Sequence, residues 1–222
     1  EKVKSLVDKL PPHIKIAYLP HFSITRLRLS GSHSDAHTLQ TDINNYAQEM
    51  TDLLGPKYAF GYDSIPLTQA IGNLLLAQNA TMVTAESCTG GLIAHRITAN
   101  SGCSAYYKGG VVTYSNALKQ QLLGVPATTI EEHGAVSEAT VKAMAQGAIS
   151  HLQGDYAVAV SGIAGPGGGT PNKPVGTIWI AVANSSQVWA KKYTFARSRD
   201  VNIELTTNIA LNNLRQLILG LL

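Results

Sequence analysis

Short apolar runs alternate with amphipathic helical patterns from about residue 64 to the end of the chain. Consecutive parallel strands need a long crossover connection, which is usually a helix. The alternation therefore predicts an α/β fold over residues 64–222, a three-layer α/β/α domain with a mostly parallel sheet. Two runs near the end flank Asn184-Ser185-Ser186, which indicates an antiparallel hairpin at one edge of the sheet. The expected strands are 81–85, 110–115, 156–160, 176–183 and 187–195, and the last helix is expected over about 200–222.

Residues 1–63 have a different order of patterns, which indicates a separate small α+β module. The order is helix, strand, strand, helix and strand, with the first two strands forming a hairpin around Pro20-His21. The second helix is expected after Ser34, where steps of three and four residues begin. The expected strands of this module are 14–19, 24–29 and 58–62.

The order of this first module invites comparison with an RNA-binding KH module. A KH module clamps RNA with a GXXG loop, and the turn Gly31-Ser32-His33-Ser34 lacks the second glycine. RNA binding is therefore not favoured. The chain starts at Glu1, and residues 1–10 have the pattern of the end of a helix, so we expect either a processed N-terminus or a piece of a longer protein.

Charge and cysteine content exclude several classes of protein. The 17 Lys and Arg residues against 14 Asp and Glu give a net charge of +3, without a basic stripe of the kind that nucleic acid requires. No apolar run approaches the roughly 18 residues of a membrane span. Two cysteines are too few for a disulfide framework and fit a reducing compartment. We expect a soluble, cytoplasmic protein with neither nucleic acid nor a membrane as its partner.

Three polar, glycine-rich segments each follow an expected strand, where open α/β sheets place their ligand-binding loops. The first is Thr84-Ala85-Glu86-Ser87-Cys88-Thr89-Gly90-Gly91, with a helix expected from about Gly90. A serine at the positive end of a helix, beside unpaired backbone amides, suits a nucleophile or an anion cradle. The simpler alternative is that Ser87 or Thr89 only caps the helix. Cys88 is a rival nucleophile, although no histidine stands out as its base.

The second segment, residues 109–119, places Lys119 in the first turn of an expected helix. The partial positive charge of a helix N-terminus, together with burial, lowers a lysine pKa and gives an amine that can take a proton from serine. The alternative is an exposed lysine on an amphipathic helix. Tyr114 either relays a proton or packs.

The third segment, residues 161–170, has five glycines in ten positions, so its backbone can approach a ligand closely. It completes neither a Walker loop nor the G-x-G-x-x-G pattern, because Thr170 stands at the last position. A flexible surface loop is the alternative. Metal binding is not expected, since His33 and His37 have no third ligand nearby in sequence.

The three segments together, with two further motifs in the same order, resemble the C-terminal domain of the CinA family. The matching motifs are Ala85-Glu86-Ser87-Cys88-Thr89-Gly90-Gly91, Gly110-Val111-Val112-Thr113-Tyr114-Ser115-Asn116 with Lys119, Gly134-Ala135-Val136-Ser137-Glu138, Ser161-Gly162-Ile163-Ala164-Gly165-Pro166, and Lys173-Pro174-Val175-Gly176-Thr177. Stand-alone relatives of that domain are nicotinamide mononucleotide (NMN) deamidases. Residues 1–63 look like the KH-like middle module of full-length CinA proteins, whose N-terminal domain is missing here.

The resemblance implies hydrolysis of the NMN carboxamide to nicotinate mononucleotide and ammonia, by a homodimer without a cofactor. It makes Ser87 the nucleophile and Lys119 its general base, with Tyr114 as a helper. The substrate-binding residues that it implies are Thr89, Gly90, Gly162, Ile163, Ala164, Gly165 and Arg199. Departures from the family pattern at Gly167 and at Arg197-Ser198 concern the phosphate and ribose contacts. The alternative is a nucleotide-binding or regulatory module without turnover.

Overall fold

The computed structural model describes residues 2–222 and divides the chain into two compact units, Glu1–Ser64 and Ile65–Leu222. Unit 1 contains a short helix, a two-stranded antiparallel hairpin and a long helix. Its elements are α1 (Lys4–Val7), β1 (Ile14–His21), β2 (Ile24–Gly31) and α2 (Ala36–Leu54).

Three details of unit 1 differ from the expectation. The hairpin turns two residues later, because His21 still pairs with Ile24 and Phe22 adopts a positive φ of 49°. Helix α2 is capped by Asp35, whose carboxylate accepts hydrogen bonds from the amides of His37 and Thr38. The strand expected over 58–62 was wrong, since this segment is a turn and irregular chain. Its aromatic residues mimic a strand pattern, but among the described residues this segment joins neither the two-stranded nor the five-stranded sheet.

Unit 2 is an α/β domain around one five-stranded sheet. Its strands are β3 (Met82–Glu86), β4 (Tyr107–Val112), β5 (Tyr156–Gly162), β6 (Thr177–Asn184) and β7 (Val188–Thr194). Its helices are α3 (Leu67–Ala77), α4 (Leu92–Thr98), α5 (Asn116–Leu123), α6 (Ala127–His133), α7 (Glu138–Leu152) and α8 (Arg199–Ile218), with a 3₁₀ turn at Cys103–Ala105.

The sheet order is β4-β3-β5-β6-β7, with β3 parallel to both β4 and β5, and β6 antiparallel to both of its neighbours. The α/β fold with a mostly parallel sheet and an antiparallel hairpin at one edge is confirmed. Strand β4 lies three residues earlier than expected and ends at Val112. The following residues, Thr113 to Ser115, therefore form a loop at the sheet edge.

Helices cover both faces of the sheet. Helix α7 packs on one face of β3, β5 and β6, where alanines such as Ala157 and Ala181 let the helix approach closely. Helix α8 packs on β5 and β6 and contacts α3 and α4, with which it forms the layer opposite α7. Among the described residues, no helix is both long and apolar enough to span a membrane.

The carboxyl ends of β3, β4 and β5 meet at one edge because these strands are parallel neighbours. The segments that follow them begin at Ser87, Thr113 and Ile163. All three polar segments predicted from the sequence therefore come together at this edge.

Candidate active site

A cavity of about 180 Å³ opens at this edge of the sheet and draws its lining from all three polar segments. Of the predicted site residues, Ser87, Tyr114, Lys119, Gly162, Ala164 and Arg199 line it. Additional lining comes from Cys88, which was considered as a rival nucleophile, and from four residues to which no separate role was given: Asn116, Ala135, Val136 and Ser161. All five lie inside the motifs quoted above, so membership of those motifs could have identified them as site residues.

Ser87 follows β3 directly, and its amide donates to the carbonyl of Val160 at 3.1 Å. Helix α4 begins only at Leu92, later than expected, so Ser87 lies outside its first turn. Neither Ser87 nor Thr89 caps this helix, because the amides of Gly91, Ile93 and Ala94 donate to the carboxylate of Glu86 instead. The expected helix end beside Ser87 is therefore already occupied by an anion of the protein itself.

Lys119 is the basic side chain that contacts Ser87 directly. Its Nζ lies 3.2 Å from Ser87 Oγ and donates to the carbonyl of Thr113 at 2.7 Å. The side chain is only 1% exposed, so the interpretation as an exposed surface lysine was wrong. Burial lowers the Lys119 pKa, because removal from water disfavours the charged amine.

Helix α5 aims Lys119 at Ser87. Ser115 caps this helix by accepting a hydrogen bond from the amide of Leu118, and Lys119 occupies the next position. The helix then ends at Gly124, which adopts the left-handed conformation that favours glycine. A short, well-capped helix thus holds a long, flexible side chain at the cavity.

Cys88 lines the same cavity but lacks the properties of a nucleophile. Burial raises the pKa of its thiol to about 12, so the reactive thiolate is scarce near neutral pH. Ser87, with an amine beside it, is the better candidate.

Tyr114 and Arg199 form a hydrogen-bonded pair at the cavity. Arg199 Nη2 donates to the Tyr114 hydroxyl at 3.1 Å, and Nη1 donates to the carbonyl of Gly165 at 2.9 Å. Tyr114 is 60% exposed. Its hydroxyl therefore contacts the arginine rather than the pair formed by Ser87 and Lys119.

The remaining predicted residues are not among those whose atoms line the cavity. Thr89 is buried and donates its hydroxyl to Glu86 at 2.6 Å. The amide and carbonyl of Ile163 both bond to the main chain, at Thr177 and Gly176 respectively. Gly90 adopts a positive φ of 63°, which the tight turn requires, and Gly165 uses its carbonyl to hold Arg199.

Residues 2–222 contain no group of three or more His, Cys, Asp or Glu side chains placed to hold a metal ion. His33 bonds through Nδ1 to the main chain of Asp35 at the start of α2. The polar side chains that line the cavity include Ser87, Lys119 and Arg199.

The site thus contains a serine hydrogen-bonded to a buried lysine, at the carboxyl edge of the sheet of an α/β protein. The profile of the CinA C-terminal domain matches residues 64–218, which is most of the chain. The chain therefore belongs to the CinA family.

Curated relatives extend the similarity over nearly the whole chain. A CinA-like protein from Cytophaga hutchinsonii is 45% identical over 210 residues, covering 93% of this chain and 49% of the relative. A CinA-like protein from Salinibacter ruber is 41% identical over 216 residues, covering 97% and 52%. The chain thus spans about half the length of the curated relatives it matches.

Solved structures match about 70% of the chain. A CinA superfamily protein from Klebsiella pneumoniae 700603 aligns with a TM-score of 0.67 at 35% identity, covering 69% of this chain and 96% of that protein. A CinA superfamily protein from Escherichia coli aligns with a TM-score of 0.67 at 32% identity, covering 72% and 96%. The fold of this chain is that of the CinA superfamily.

Proposed function

We propose that this chain is an amidohydrolase that converts NMN to nicotinate mononucleotide and ammonia. The observation that carries the proposal is the 3.2 Å contact between Ser87 Oγ and the buried amine of Lys119. A serine becomes nucleophilic when an adjacent base takes its proton, and a lysine can do so only when it is neutral. Burial favours that neutral form here.

The bond changes and proton transfers of the proposed reaction involve Ser87, Lys119 and water. The Ser87 oxygen bonds to the amide carbon while Lys119 takes the hydroxyl proton. The carbon–nitrogen bond then breaks, and Lys119 returns the proton to the departing ammonia. Water attacks the resulting ester by the same route, which restores Ser87 and releases the carboxylic acid.

Backbone amides next to Ser87 are suited to stabilise the developing oxyanion. Among residues 2–222, the amides of Cys88 and Thr89 have no hydrogen-bond acceptor on another residue, whereas the amide of Gly90 donates to the Ser87 carbonyl. One oxyanion donor typically contributes about 3 kcal/mol to lowering the barrier. The two amides together therefore supply a large part of the catalysis in this proposal.

Arg199 is the group best placed to bind the phosphate of a mononucleotide. It lines the cavity, and its two hydrogen bonds go to neutral oxygens. Among the described residues, no carboxylate lies within 4.0 Å of its guanidinium group. The positive charge is therefore available to an anionic substrate.

Ammonia release from NMN tests the proposal, with nicotinamide riboside and nicotinamide as substrates that lack the phosphate. We expect NMN to turn over fastest, and Ser87→Ala to abolish turnover while NMN still binds. Binding without turnover in the parent chain would favour the alternative of a nucleotide-binding module. Undiminished turnover by Ser87→Ala would refute the mechanism.

A further inference from the structure

Glu86 is a buried carboxylate directly before Ser87, and the proposed reaction gives it no role. Its side chain is 1% exposed. No Lys, Arg or His among the described residues lies within 4.0 Å of it. A buried charge without a partner is costly, so hydrogen-bond donors must compensate it.

Four donors surround this carboxylate, and all come from the chain just after Ser87. Oε2 accepts hydrogen bonds from the Thr89 hydroxyl at 2.6 Å and from the amides of Gly91 at 3.1 Å and Ile93 at 3.0 Å. Oε1 accepts from the amide of Ala94 at 2.8 Å. The turn between β3 and α4 is thus held by four hydrogen bonds that converge on one carboxylate.

This arrangement decides which amides of the turn remain available. Glu86 uses the amides at the start of α4, and the turn's own bond uses the amide of Gly90. Within residues 87–91 of the described chain, only the amides of Cys88 and Thr89 have no acceptor on another residue. These are the two amides proposed to bind the oxyanion.

The main chain of Glu86 is also linked to Lys119, the proposed base, through Thr113. Its carbonyl accepts a hydrogen bond from the amide of Thr113 at 2.8 Å, and the carbonyl of Thr113 accepts from Lys119 Nζ. Residue 86 therefore contacts the nucleophile turn through its side chain and the loop holding the base through its backbone.

We propose that Glu86 is a positioning residue, which holds the Ser87 turn in its reactive geometry through the four hydrogen bonds to its carboxylate. The inference rests on the serine–lysine pair of the proposed function. Glutamine cannot replace the glutamate, because in either orientation its NH₂ group faces at least one amide donor that the carboxylate now satisfies. The turn must then shift, and misplacing a reacting group by about 1 Å can cost about 100-fold in rate.

Kinetics of Glu86→Gln test this role, with Glu131→Gln, an exposed carboxylate on α6, as the matched control. We expect kcat for NMN to fall about ten- to hundredfold with KM within about twofold of the parent, and the control to match the parent. A folded Glu86→Gln with the parent's kcat overturns the inference, as does a loss confined to KM.

Labelling by a fluorophosphonate separates this inference from the proposed function. In that reaction the Ser87 oxygen bonds to phosphorus, fluoride leaves, and the hydroxyl proton passes to Lys119. Intact mass spectrometry gives the labelling rate without any need for the natural substrate. A parent chain that labels but releases no ammonia refutes only the proposed function, and equal labelling of parent and Glu86→Gln refutes only the inference.

Thr89 provides a milder pair of variants in case Glu86→Gln does not fold. Thr89→Ala removes one of the four donors, whereas Thr89→Ser keeps the hydroxyl. We expect Thr89→Ala to lower kcat about threefold or more at unchanged KM, and Thr89→Ser to lose less. A higher KM at unchanged kcat would instead place Thr89 on the substrate and overturn the inference, and so would a Thr89→Ala chain equal to the parent.

Discussion

Replacing Lys119 with methionine isolates the contribution of the proposed base. Methionine fills much of the space of the buried aliphatic stem but cannot accept the Ser87 proton across the 3.2 Å contact. General-base catalysis contributes typically 10²–10⁴-fold, which is about 3–5 kcal/mol at 1.36 kcal/mol per factor of ten. We therefore expect kcat for ammonia release from NMN to fall by about 10²–10⁴-fold.

The pH dependence gives a second signature of the same group. Only the neutral amine can take a proton, so kcat of the parent should rise with pH and level off above the lowered pKa of Lys119. The residual activity of Lys119→Met should lack this ionisation. Lys192→Met, at an exposed position on β7, is the matched control and should behave like the parent.

Two results would contradict this reasoning. If Lys119→Met kept kcat within about threefold of the parent, the lysine would not be the base. If its activity were lost but the rise with pH persisted in the residual rate, another group would carry the ionisation. Thermal unfolding of the variant must accompany both measurements, because the Thr113 carbonyl loses its donor and such a loss costs about 1–3 kcal/mol.

Three further predictions concern the cavity wall and the core. Tyr114→Phe removes the hydroxyl that holds Arg199. We expect KM for NMN to rise about three- to tenfold, which is the equivalent of one hydrogen bond, and kcat to stay within about twofold of the parent. A large fall in kcat alone would make Tyr114 a proton carrier. Iodoacetamide near neutral pH should leave Cys88 unmodified by mass spectrometry, since its thiol is buried with a pKa of about 12, and rapid modification would contradict this. Gly147→Ala should lower the free energy of unfolding by about 1–3 kcal/mol, because the added Cβ would lie 1.9 Å from the Leu123 carbonyl oxygen; Gly167→Ala, with open space around it, is the control.

Local pattern was sufficient to predict most strands and helices of unit 2. The period of the apolar residues identifies each element, and the alternation of strand and helix requires a largely parallel sheet. Parallel neighbours bring the three polar segments to one edge, so the proximity of Ser87 and Lys119 followed from topology. The strand expected over 58–62 failed because aromatic pattern alone cannot supply a pairing partner.

Only the tertiary structure decided how the polar groups at that edge share their hydrogen bonds. The sequence pattern placed a helix terminus beside Ser87, and the family resemblance made Thr89 a substrate-binding residue. In the folded chain, the amides of that terminus and the Thr89 hydroxyl donate to the carboxylate of Glu86 instead. The fold likewise turns the Tyr114 hydroxyl toward Arg199 and buries Lys119, which lowers the lysine pKa. Residue types and their order fix which groups can react. The packing of segments that lie far apart in the chain decides which donor reaches which acceptor at distances near 3 Å. It also decides which side chains are removed from water. A local sequence pattern contains neither kind of information.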